Sequence, residues 1–145
     1  MIGLIQRVSE ASVTVDNEIT GKIGHGLLLL LGVEKHDGSA EIEKMANKIS
    51  NYRLFSDQDG KMNLNVQQVK GQVLVVSQFT LVADTQKGNR PGFSRGASPE
   101  HGKAIYLQFI QALKNKGLPV ETGQFGSDMK VALINDGPVT FQFQV

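Results

Sequence analysis

The chain has no cysteine among its 145 residues. Disulfides, zinc–thiolate centres and a cysteine nucleophile are therefore excluded. It also lacks an excess of either charge: 15 basic residues against 14 acidic ones leave a formal charge of +1. Any contact with nucleic acid must come from a local patch, because no strong overall field exists to steer it. Long apolar runs are missing too. The longest, Leu27 to Leu31, falls far short of the roughly 20 residues that cross a bilayer. Met1 to Ser12 carries no basic stretch followed by an apolar one, so it does not read as a signal peptide. A cytoplasmic protein with no membrane contact is expected.

The usual catalytic side-chain sets are absent as well. The histidines, His25, His36 and His101, show no metal-ligand spacing. Gly24-His25-Gly26 lacks a third glycine and precedes a strand pattern, so it is no dinucleotide fingerprint. There is no phosphate-binding P-loop and no Gly-x-Ser-x-Gly elbow. The acid pairs Glu41/Glu43 and Asp57/Asp59 fit a helix first turn and a turn tip better than acid–base catalysis. No metal and no cofactor are expected. An enzyme of this composition must use backbone donors, hydroxyls or groups on its own substrate. A binding module would show the same absences.

What remains fits one domain over residues 1–145, with 40% hydrophobic residues and a length that buries roughly 68–70% of the unfolded surface. The first third reads as strands: Ile2, Leu4 and Val8, then Val13 and Val15, then Glu18 to Ile23 after an Asp16-Asn17 turn. Gly26 to Val33 reads as a buried strand. Ser39 to Asn51 is predicted helical, because Ile42, Met45, Ala46 and Ile49 share one face; Ser39 is its expected N-cap. Leu64 and Val66 suggest a short strand, and Gln72 to Val82 a strand buried on both faces. Asp84 to Ala97 is a glycine-rich loop carrying Lys87, Arg90 and Arg95. Ser98-Pro99-Glu100 starts a second helix by cap, proline and acid; Ile105, Phe109, Ala112 and Leu113 form its stripe, and Lys114 to Pro119 ends it. The tail alternates twice, Val131/Leu133 and Val139/Phe141/Phe143/Val145, around a turn candidate at Asn135-Asp136-Gly137. The fold class is α+β, mainly antiparallel and barrel-like, with two main helices.

Five segments resemble the D-aminoacyl-tRNA deacylase family, also described as D-tyrosyl-tRNA deacylases: Gln6-Arg7-Val8, Lys61-Met62-Asn63-Leu64-Asn65-Val66, Ser77-Gln78-Phe79-Thr80-Leu81, Gly96-Ala97-Ser98-Pro99 and Asn135-Asp136-Gly137-Pro138-Val139-Thr140. The resemblance runs the length of the chain. It implies a homodimer with active sites at the subunit interface, a substrate of aminoacyl-tRNA, and catalysis assisted by the 2′-hydroxyl of the terminal adenosine. It implies that Gly137-Pro138 is a cis peptide inserted into the partner's pocket, rejecting L-amino acids by steric exclusion, and that Arg7 braces the Gly137-Pro138 carbonyls. Glycine, with no side chain to exclude, is then cleaved from tRNA along with D-amino acids.

Each residue also has a plainer reading. Gly137-Pro138 by itself is a turn with the default trans bond, and Arg7 pairs with a surface acid. Ser77 and Thr80 are ordinary strand residues and Phe79 is core. In the family reading, Ser77 and Gln78 shape the pocket, the N–H groups of Phe79 and Thr80 hold the oxyanion, and Phe125 and Met129 pack on the adenosine. Lys87, Arg90 and Arg95 then contact RNA phosphates. Two rivals remain open: a hydrolase with Thr80 as nucleophile, for which the sequence offers no obvious base, and a non-catalytic RNA-binding module.

Overall fold

In the computed structural model, which describes residues 1–145, the opening apolar pairs merge into one strand, β1, Ile2–Val15. It turns through Asp16 and Asn17, both at positive φ, the conformation a two-residue hairpin demands and short polar side chains tolerate. The next strands are β2, Glu18–Ile23, and β3, Gly26–Gly32. Helix α1, Ser39–Asn51, follows with the expected apolar face. Its N-cap is Gly38 rather than Ser39, and the Glu41 carboxylate accepts the Gly38 N–H at 2.8 Å. That bond satisfies a donor the helix leaves free, which removes the need for a hydroxyl cap. Strands β4, Phe55–Ser56, and β5, Met62–Leu64, form a small hairpin. Val66 lies beyond it, buried in the following turn.

Strand β6 spans Gln72–Ser77 and then stops. The expected continuation to Val82 does not occur: Gln78 leaves strand geometry at φ −141°, ψ 81°, and Phe79–Val82 forms a 3-10 helix. Helix α2, Pro99–Asn115, starts as expected, with Ser98 accepting the His101 N–H and Pro99 in the first turn. Its buried face takes in Tyr106 and Ile110 beside Ile105, Phe109 and Leu113. After β7, Val120–Thr122, the tail is a single strand, β8, Lys130–Gln144. It pairs antiparallel with β1 along nearly all of its length, so Asn135-Asp136-Gly137 is not a turn between two strands.

The sheet is mixed. β1 pairs antiparallel with β2, β3 and β8, whereas β3–β6 and β6–β7 are parallel. Antiparallel pairing predominates, as expected; the two parallel pairings arise because α1 and α2 serve as crossovers between strands that enter from the same side. The sheet curls nearly shut where β2 meets β7. A Cβ on Gly21 would stand 2.3 Å from the Thr122 carbonyl oxygen, so only glycine permits this approach. Leu27, Leu29, Leu31, Val73 and Val75 face the helices, while Leu28, Leu74 and Val76 fill the barrel interior with Val8, Val13 and Ile23. Both faces of β3 and β6 are therefore buried, which accounts for their unbroken apolar sequences. No helix is long and apolar enough to cross a membrane.

Candidate active site

The end of β6 creates the first part of the site. Where the strand stops, Ser77, Gln78 and Phe79 turn outward beside Leu31 and Val33 and line a cleft of about 310 Å³. Its far wall is Ala97, Ser98 and Pro99 at the start of α2, together with Phe125. Two of the five family-like segments thus meet at one hollow, brought together by the parallel pairing of β3 with β6 and by the Ala97 N–H bonded to the Val33 carbonyl at 3.1 Å. The Phe125 ring packs 5.6 Å from Tyr106, and a Cβ on Gly102 would sit 3.4 Å from it. Tyr106 donates its hydroxyl to the Val75 carbonyl at 2.9 Å. Burial pushes its phenol up to about 12, so it stays neutral and serves as a fixed strut beneath the cleft.

The 3-10 helix that follows Gln78 leaves two backbone donors unpaired beside the cleft. The N–H groups of Phe79 and Thr80 begin that helix and make no hydrogen bond within the chain. The Gln78 side-chain amide donates to the Thr80 hydroxyl. No histidine, carboxylate or lysine bonds that hydroxyl, and Thr80 is not among the lining residues. Phe79 is no core residue: it is 67% exposed, its ring 5.2 Å from that of Phe93. The chain turns out of the sheet one residue earlier, which swings the ring from the interior to the mouth of the cleft.

A third family-like segment, Asn135 to Thr140, forms a bulge. Between the pairs Gln6–Thr140 and Val8–Asn135, β1 advances two residues while β8 advances five. The surplus, centred on exposed Asp136, Gly137 and Pro138, loops outward, and Gly137-Pro138 is a cis peptide. Gly137 has φ +150°, and a Cβ there would lie 2.6 Å from Val139 Cγ2. Asn135 clasps the base of the loop: its Oδ1 accepts the Val139 N–H at 2.7 Å, and its Nδ2 donates to Thr140 Oγ1 at 3.1 Å. Arg7 holds it from below. Its Nε donates to the Asp136 carbonyl and a terminal nitrogen donates to the Leu54 carbonyl, both at 2.8 Å. The brace therefore grips the carbonyl just before Gly137, not the Gly137 and Pro138 carbonyls, and Arg7 Nε lies 3.9 Å from the Asp136 carboxylate. Asn135 and the Leu54 carbonyl were missed in the sequence. Only the amide at the head of Asn-Asp-Gly-Pro signals such a clasp.

Gly137 and Pro138 do not line their own chain's cleft. Met129 does not reach it either. It packs against the barrel interior and accepts the Gln124 N–H on sulfur at 3.4 Å, so it supports the loop that carries Phe125. Lys87 and Arg90 are exposed on the loop that Asp84 and Gly92 pinch shut with two backbone bonds. Arg95 is exposed farther along, its carbonyl bonded to the Lys35 N–H at 3.1 Å. No group of three or more histidine or acidic side chains is placed to hold a metal ion.

A family model described as D-Tyr-tRNA(Tyr) deacylase matches residues 4–144. The D-aminoacyl-tRNA deacylase of Alteromonas mediterranea is 72% identical, and that of Escherichia coli O81 57% identical, each over the whole of both chains. Among solved structures, the c-Myc DNA unwinding element binding protein superposes with a TM-score of 0.95 at 38% identity, covering 100% of this chain and 99% of that one. A probable eukaryotic D-amino acid tRNA deacylase shares the fold, with a TM-score of 0.83 at 16% identity over 99% of this chain and 98% of its own.

Proposed function

The chain belongs to the D-Tyr-tRNA(Tyr) deacylase family, and within that family's reaction we propose a division of labour between the cleft and the bulge. The protein is a hydrolase of the ester that joins an amino acid to tRNA. Water adds to the ester carbonyl, the bond to the ribose oxygen breaks, and free D-amino acid and tRNA leave. The cleft holds the ester and the terminal adenosine. Phe125 offers the base an aromatic face, and Ser77 and Gln78 bound the space around the ester. The unpaired N–H groups of Phe79 and Thr80 take the oxyanion of the tetrahedral intermediate. The neighbouring 2′-hydroxyl of the substrate orients the water, so no protein base is needed.

The bulge supplies selection. In a homodimer, Gly137 and Pro138 of one protomer enter the cleft of the other and occupy the space that an L side chain needs. One observation carries this reading: the chain has an open cleft and a rigidly clasped bulge, and the bulge does not line its own cleft. A rigid backbone is a good chiral gauge, because no rotamer change relieves a clash with it. Lys87, Arg90 and Arg95 supply phosphate contacts around the cleft mouth.

The Thr80-nucleophile reading finds no support in the hydrogen bonding of that hydroxyl, which receives the Gln78 amide rather than facing a base. The test is deacylation of D-Tyr-tRNA, read by acid precipitation of the charged tRNA that remains, with sedimentation of the same preparation. Rapid loss of charge by a species of twice 15.8 kDa is expected. A fully active monomer overturns the cross-subunit reading, and inert D-Tyr-tRNA overturns the catalytic one.

A further inference from the structure

Away from the cleft, a hollow of about 750 Å³ lies between the outer face of α1 and the end of β8. Its polar lining is Lys44, Asn47, Lys48, Asn51, Gln142 and Gln144, beside the rings of Tyr52 and Phe143, with no aspartate or glutamate. The four α1 residues fall at i, i+3, i+4 and i+7 and so stand in a row on one face. Neither lysine in the row has an ion-pair partner. The Lys48 ammonium sits 5.3 Å from the centroids of both Tyr52 and Phe143, an aromatic seat that fixes a cation without neutralising it. Of the two acids on the helix, Glu43 is bound to Lys116 at 3.0 Å and Glu41 accepts the Gly38 N–H at 2.8 Å.

The hollow continues toward the cleft. Val145 lines both it and a neighbouring hollow of about 360 Å³, which also takes in Lys35 and Arg95. Arg95 directly precedes the Gly96-Ala97 segment of the cleft wall. The carboxylates of this connecting hollow are engaged within the chain: Glu34 and Asp37 hold the Met1 ammonium at 2.8 and 2.9 Å, and Glu41 holds the Gly38 N–H. A surface of cations and side-chain amides that leads toward the cleft wall through Arg95 suits a run of phosphates and riboses leading away from a bound 3′ end.

We propose that the α1–β8 hollow binds the phosphodiester backbone of the substrate RNA, on the duplex arm behind its terminal adenosine. This rests on the reading of the cleft as the site for aminoacyl-tRNA. Lysines and amides of this kind contact phosphate and sugar and carry no base code, so the contact is sequence-independent and salt-sensitive. It lengthens the footprint beyond Lys87, Arg90 and Arg95, and it acts on substrate binding alone.

The experiment measures retention of uncharged tRNA across a salt series for the wild type, K44Q/K48Q and K44E/K48E, with K22E/K61E as a control of equal charge change. The slope of log affinity against log salt is expected to fall in magnitude by about 2 for K44Q/K48Q, close to one per lost phosphate contact. K44E/K48E is expected to bind about tenfold more weakly at low salt. On D-Tyr-tRNA it should raise KM and keep kcat, while cleavage of D-tyrosyl-adenosine, which has no duplex arm, stays at the wild-type rate. Unchanged slope and affinity overturn the proposal. So does an equal loss on D-tyrosyl-adenosine, or an equal loss of binding in K22E/K61E. Failure of the parent reading is separately visible as wild-type protein that cleaves neither ester, since tRNA retention is read without catalysis.

Discussion

The cleft and the bulge are built in opposite ways. The cleft is concave, lined by side chains from four separate stretches of chain, and opened where β6 stops short. The bulge is convex, drawn from one stretch of β8, and presents backbone. Its two guides, Asn135 and Arg7, both aim their hydrogen bonds at main-chain atoms or at the adjoining Thr140. A receptor can be assembled from side chains that adjust to a range of substrates. A gauge must not adjust, and anchoring carbonyls and N–H groups directly is how a short loop is kept from moving. The contrast is what the proposed division of labour rests on, with chemistry in the cleft and discrimination at the bulge.

Gly137→Ala should break the contrast most severely. The new Cβ meets Val139 Cγ2 at 2.6 Å and Val139 N at 2.9 Å, at a φ that L residues rarely adopt, so the loop must move. Displacement of about 1 Å can cost about 100-fold in a positioned site, and the ratio of D-Tyr-tRNA to L-Tyr-tRNA cleavage should fall by about that factor. Circular dichroism should stay near wild type, because the loop is exposed. Retained discrimination would separate the bulge from selection.

Arg7→Ala removes two bonds from a charged donor, worth about 1.5–3 kcal/mol each when intact. Thermal unfolding should come earlier, and L-Tyr-tRNA should be cleaved measurably, though less than with Gly137→Ala. Arg7→Lys should restore only part of either property, since an ammonium lacks the fork that spans two carbonyls. Normal discrimination in Arg7→Ala would mean that Asn135 alone fixes the loop.

Thr80→Ala sharpens the other side. Activity should stay within about tenfold of wild type if backbone donors and the substrate hydroxyl carry the chemistry, against a loss of several orders of magnitude for a nucleophile. A substrate ending in 2′-deoxyadenosine should be cleaved far more slowly by the wild type. Dead Thr80→Ala with a normally cleaved deoxy substrate would reverse the assignment.

Tyr106→Phe should change least. The Val75 carbonyl keeps the Gly123 N–H at 3.2 Å, so the loss should be about 1 kcal/mol of stability with activity retained. The pH dependence is more specific. The unfolded chain ionises this phenol near 10 and the folded protein near 12, so the unfolded state loses its proton first. The stability it contributes is complete below 10 and declines as pH rises toward 12. Equilibrium denaturation across that window should show a shallower alkaline decline in Tyr106→Phe.

The sequence disclosed elements wherever one pattern had one cause. α1 was legible from a single apolar face, α2 from its Ser98-Pro99 start, and the burial of β3 and β6 from unbroken apolar runs. It misled where tertiary context decides. Leu81 and Val82 continue the apolar run of β6, yet the backbone leaves the sheet at Gln78. Asn135-Asp136-Gly137 has turn chemistry, yet its flanks both pair with β1, so the surplus residues bulge instead of reversing the chain. Both misreadings fall at the candidate site, where local preference yields to function. Phe79 and Thr80 could be named from their motif, but its exposure and the free N–H groups depend on that exit from the sheet.

The most direct measurement compares deacylation of D-Tyr, Gly and L-Tyr esters on their tRNAs under one set of conditions. If selection is steric exclusion by Gly137 and Pro138, nothing on glycine can be excluded. Gly-tRNA and D-Tyr-tRNA should then both be cleaved, while L-Tyr-tRNA is spared. Complete resistance of Gly-tRNA beside rapid D-Tyr-tRNA cleavage would contradict the account, because the enzyme would then be reading the D side chain itself.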